Sequence, residues 1–166
     1  MKRICLVASV LAATAAPGAP SASSAAKSPT ARQQEIARQG AEVMPFDLRR
    51  TNHFFDDTPT GGIGTVTVND PRDRAQIELI RSHLREEAKR FARGDFSDPA
   101  RIHGKDMPGL LTLGGAARKL KITYKDVPAG GSITFVTRDP QIASAVHEWF
   151  KAQRSDHQAH EHMHPN

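Results

Sequence analysis

The sequence predicts an α+β domain, a duplicated ββα unit whose four-stranded, mostly antiparallel sheet carries two main helices packed on one face. Three observations predict it. First, Asp57–Pro71 aligns without gaps on Asp126–Pro140 at a constant offset of 69, with seven identities in fifteen positions. Second, each copy holds a Pro-x-Gly-Gly turn between apolar stretches, where glycine can supply the positive φ that hairpin turns need. Third, each copy closes on Asp-Pro, an N-cap followed by a residue suited to the first helical position, and an apolar stripe at helical spacing comes next. One offset shared by turns, strands and helix starts marks a duplicated unit.

The elements follow in order. Lys2 and Arg3, the apolar run Ile4–Ala16 and small residues through Ala25 read as a secretory signal over residues 1–25, too short to span a bilayer permanently. Residues 26–42 are polar and read as a linker, and 43–155 as one domain. Its first half, 52–93, pairs Asn52–Asp56 with Gly64–Val68 and then places Ile77, Ile80, Leu84, Ala88 and Phe91 on one helical stripe. Its second half, 121–154, pairs Lys121–Lys125 with Ser132–Thr137, followed by the stripe Ile142, Ala145, Val146, Trp149 and Phe150. Between the halves lies an insert, 94–119, with many turn residues and a short helix near Leu110–Lys119. Residues 156–166 read as a histidine-rich tail.

Composition removes several function classes. Without Lys2 and Arg3, 21 of the 23 basic residues face 18 acidic ones, a net of +3, too mild to argue for nucleic acid. The single cysteine, Cys5, leaves with the signal, so the mature chain would have neither disulfide nor thiol chemistry. The sequence holds no G-x-S-x-G elbow, P-loop, H-E-x-x-H or C-x-x-C-H. What remains is histidine, the commonest metal ligand near neutral pH, and methionine, a donor for soft copper. His103 and Met107 in the insert are the leading metal candidates, with His83 and His147 on the shoulders of their helical stripes. His157, His160, His162 and His164 crowd the tail. Asp95, Asp98, Asp106 and His53 are further candidates.

The segments M-P-F-D-L-R-R-T-N-H-F-F, G-D-F-S-D-P-A-R-I-H-G-K-D-M-P-G-L and D-P-Q-I-A-S-A-V-H-E-W-F-K-A-Q-R-S-D-H carry a resemblance. Over nearly all of Val43–His157 the chain resembles a family of small exported bacterial proteins without established function, some of them labelled aspartate carbamoyltransferase. The resemblance implies a fold-length unit and an exported location. It supplies no catalytic residues, because the Ser-Thr-Arg-Thr run with which that enzyme holds carbamoyl phosphate is absent here.

The sequence thus leads to an expectation of a periplasmic or secreted binding protein that engages a metal ion or small ligand. Copper would come first, held by His103, Met107 and the tail. A non-covalent haem version would take axial ligands from His83, His103 and His147. Alternatives are a small envelope enzyme pairing His103 with Asp98 or Asp106 for acid–base work, and a non-catalytic interaction module. The module would use a free sheet face made polar by Thr65, Thr67, Thr134 and Thr137. No membrane insertion is expected after signal cleavage.

Overall fold

The computed structural model describes residues 29–157. The expected signal peptide and the tail histidines His160, His162 and His164 lie outside them. The elements are α1 (Ala31–Val43), a 3-10 turn (Leu48–Arg50), β1 (Thr51–Thr58), β2 (Gly61–Val68), α2 (Arg74–Ala92), α3 (Ser97–His103), α4 (Leu110–Gly115), β3 (Leu120–Val127), β4 (Gly130–Thr137) and α5 (Pro140–His157).

The sheet runs β1-β2-β4-β3, and every neighbouring pair is antiparallel. The repeat is visible in the register. Thr51 faces Val68 and Thr58 faces Gly61 in the first hairpin; their counterparts at the offset of 69, Leu120 with Thr137 and Val127 with Gly130, face each other in the second. At the seam between hairpins Gly64 pairs with Ile133, its own counterpart, so a pseudo-twofold axis passes between those two residues. Strand alternation sends Phe55, Val66, Ile133 and Phe135 to the helical side, where all four are buried. Thr65, Thr67 and Thr134 lie on the opposite face, as expected. Thr137 does not: it shares the parity of Ile133 and Phe135 and is buried.

Both main helices lie on that one face, but each covers the other copy's hairpin. α5 packs on β1 and β2, and α2 packs on β3 and β4. Their expected stripes are buried at Ile77, Ile80, Ala88 and Phe91 on α2, and at Ile142, Ala145, Val146, Trp149 and Phe150 on α5. Each large apolar side chain so enclosed is worth about 1.5–3 kcal/mol.

Several local expectations need correction. The glycine pairs do not form the turns; they already belong to β2 and β4. Of these four glycines, Gly61 alone has a positive φ, 142°. What requires glycine is the close approach of the central strands: a Cβ on Gly130 would lie 2.0 Å from the Val66 carbonyl oxygen, and one on Gly61 2.1 Å from that of Phe135. The helix starts also differ. Asp139 caps α5 as expected, its Oδ1 accepting the Gln141 N–H at 3.0 Å. In the first copy Asp70-Pro71 stays in the connecting turn, and Asp73 caps α2 by accepting the Gln76 N–H at 3.3 Å.

The segment read as a linker holds α1, opened by a capping box in which Thr30 and Gln33 exchange side-chain-to-backbone bonds. It buries Ile36 and Gly40 and packs against α3 and α5. The insert contains α3 as well as the expected short helix. α3 ends at Gly104 with φ 94°, a conformation natural to glycine. The tail begins later than residue 156, because α5 continues to His157. Among the described residues, no helix is long and apolar enough to cross a membrane.

Candidate functional site

A cavity of about 80 Å³ lies between the sheet, α2 and α5, with α3 at one end. Its walls are mostly apolar, including Phe46, Phe55, Ile102, Phe135 and Phe150. It sits beside the pseudo-twofold axis, where the first copy has Gly64 in place of Ile133 and leaves the space open. Among the described residues, three enclosed side-chain atoms have no hydrogen-bond partner: His53 Nε2, Trp149 Nε1 and Gln153 Oε1. All three residues line this cavity. Trp149, Gln153 and His157 are spaced four residues apart on α5, so they form one row down the wall.

His103 ends α3 at the same cavity, almost fully buried. Its Nδ1 is 2.8 Å from Asp156 Oδ2, and Arg32 from α1 grips the same carboxylate twice, at 2.6 and 2.7 Å. Burial works against ionising Asp156, but the bonds from Arg32 and His103 hold its carboxyl below the ordinary range. An ionised Asp156 accepts, so the His103 proton sits on Nδ1 and Nε2 presents a lone pair. That Nε2 lies 3.2 Å from His157 Nε2, and the His157 ring stacks on His53 at 5.2 Å. Burial lowers all three imidazole pKa values: His53 to about 4, His157 well below 6.5, and His103 downward despite Asp156. The cluster is therefore neutral near pH 7. His53 and His157 also line a second cleft beside α1, so this stacked pair borders both spaces.

The opposite wall carries Glu87, Asp98 and His83. Arg90 donates to Asp98 at 2.5 Å and to Glu87 at 3.2 Å. Burial, then the nearby Asp98 charge, pushes the Glu87 carboxyl up to about 7 from 4.5. Folded Glu87 thus keeps a proton that the unfolded chain has lost. Its contribution to stability is full below about pH 4.5 and disappears as pH rises through about 7. Glu87→Gln is expected to match the parent at pH 5 and exceed it by about 1–3 kcal/mol at pH 8, measured by urea denaturation at both values.

The structure redistributes the candidates read from the sequence. His53, His83, His103 and His157 meet at the cavity. His147 does not; its Nε2 is 2.9 Å from both the Thr58 and Gly61 carbonyl oxygens, where it clasps the β1–β2 hairpin. Met107 is buried in the core with Leu110 and does not line the cavity. Asp95 pairs with Arg90 and accepts from Ser97, which holds its carboxyl far below the usual range. Asp106 is exposed. The carboxylate beside His103 is Asp156, not Asp98 or Asp106. Among the described residues, no three of the His, Cys, Asp and Glu side chains are grouped to hold a metal ion. No family model, curated protein or solved structure matches this chain.

Proposed function

We propose that this is an exported, non-catalytic binding protein whose ligand occupies the cavity between α5 and the sheet. The three enclosed, partnerless polar atoms, on residues that all line one apolar space, carry the reading. Buried polar groups are nearly always bonded, and each one left alone costs about 1–3 kcal/mol. A ligand with complementary groups removes that cost. A screen of neutral, anionic and cationic molecules of up to about ten heavy atoms, followed by thermal shift, tests it. A methyl at Gly64 would lie 3.7 Å from Phe55 Cδ1, ordinary contact, so Gly64→Ala narrows the cavity and keeps the fold. Hits are expected with the parent and lost in the variant. A screen without any Gly64-dependent hit overturns the proposal.

A transition metal, copper first, is a second reading with its own observation. The 3.2 Å between His103 Nε2 and His157 Nε2 is close to the edge of a tetrahedron with bonds of about 2.0–2.1 Å. Asp156 fixes the other His103 nitrogen, as carboxylates commonly do for metal-bound imidazoles. Among the described residues only two nitrogen donors stand so close, so further positions would fall to His53 or to the cavity's ligand. Copper and zinc titrations should show one equivalent bound by the parent and missing from His157→Phe; equal uptake by both would exclude this pair. Haem has no room in about 80 Å³.

A further inference from the structure

We infer that the cavity selects a small neutral molecule with a hydrogen-bond donor and acceptor beside an apolar body, a primary amide or an alcohol, over its charged counterparts. The inference rests on the binding reading above and adds the ligand's chemistry. Trp149 Nε1 can only donate and Gln153 Oε1 can only accept. They stand one helical turn apart on α5, both residues more than nine-tenths buried and both atoms partnerless. A primary amide answers both with one group, its oxygen accepting from the indole and its N–H donating to the glutamine. An alcohol does so with a single oxygen.

Charge is handled differently. The charged groups around the cavity already have partners: Asp98 shares Arg90 with Asp95 and with Glu87, whose carboxyl is raised to about 7, and Asp156 holds Arg32. A carboxylate entering there would shed its water without meeting an unpaired cation, and would sit against Glu87 and Asp98. An ammonium would find carboxylates already engaged by arginine, and His53, His103 and His157 are neutral neighbours. Transfer of an unpaired charge into such a space is far more costly than transfer of a hydrogen-bonded neutral group.

Trp149 is the chain's single tryptophan, so its indole N–H gives one unambiguous resonance in the ¹⁵N-labelled full chain. Propionamide, propionate and propylammonium share a shape and differ in charge. Propionamide is expected to shift the Trp149 signal with a Kd on the order of millimolar, and each ion to bind at least about tenfold more weakly. Gln153→Leu keeps the side-chain bulk and should weaken propionamide about tenfold while the unliganded variant melts no lower than the parent. If either ion binds as well as the amide, the inference is overturned while the cavity remains a binding site. If no probe moves the indole signal and the screen gives no Gly64-dependent hit, both fail together.

Discussion

Gly130→Ala is expected to be the most damaging small substitution in the protein, with a loss of about 4 kcal/mol or more. The new Cβ would meet the Val66 carbonyl oxygen at 2.0 Å and the Thr67 Cα at 3.0 Å. Both are backbone atoms of β2, so no rotamer change relieves the contact. The strands must part, and among the described residues β2–β4 is the only strand pairing that joins the two hairpins. Gly61→Ala should behave alike, since it meets the Phe135 carbonyl oxygen at 2.1 Å and also has φ 142°. Gly115→Ala is the control: on α4, nothing lies within 4 Å of the point its methyl would occupy, and it should be neutral or mildly stabilising. Urea denaturation of the three variants decides. A loss below about 1 kcal/mol at Gly130 would mean that the central strands tolerate separation.

Asp156→Ala should rank next, at about 2–4 kcal/mol. Its carboxylate is 5% exposed and serves two partners on different elements, Arg32 on α1 and His103 on α3. Removal leaves the His103 Nδ1–H buried without an acceptor. Arg32 is 59% exposed and can turn to water, so Arg32→Ala should cost only about 1 kcal/mol. Hydrogen exchange gives the structural signature: α1 amides should lose protection in Asp156→Ala while those of β2 and β4 keep it. Unchanged protection in α1 would show that Ile36 and Gly40 hold the helix without the ion pair.

An anion at the C-terminal end of a helix opposes the helix dipole, and burying it there compounds the cost. Asp156 breaks both local rules, and Arg32 and His103 are the compensation. Departures of this kind mark positions held by something other than local preference.

The sheet and its two main helices are legible in the sequence because strand alternation, helical stripes and the offset of 69 all act over short spans. α1 escapes because its hold is largely polar, with only Ile36 and Gly40 buried. The signal available is Thr30-x-x-Gln33, a capping-box pattern inside a segment that reads as a linker. The site is half legible. Of the residues that stand out in the insert, His103 lines the cavity and Met107 does not. The partners of His103 lie 53 and 54 residues away, at Asp156 and His157, and no local pattern announces a contact at that range. The density of histidines after His157 makes it look like part of a tail rather than the last residue of α5. Trp149 reads as packing, which its rings satisfy, while its N–H is what the cavity lacks a partner for. Gln153 gives no sign at all, being one polar residue on a mixed helix.

The crossed placement of α2 and α5 bears on how the molecule comes apart. Because each hairpin is roofed mainly by the helix that belongs to the other, neither half of the chain alone can bury the whole of its apolar face. A fragment ending after α2 would keep Val66 and Val68 against Ile77 and Ile80 but would expose Phe55, whose cover is Phe150 of α5, and would leave α2 without β3 and β4. Melting one half is expected to uncover most of what the other rests on. The duplicated plan is therefore expected to unfold as a single cooperative unit, a two-subunit embrace made within one polypeptide, with a break in either half felt by the whole.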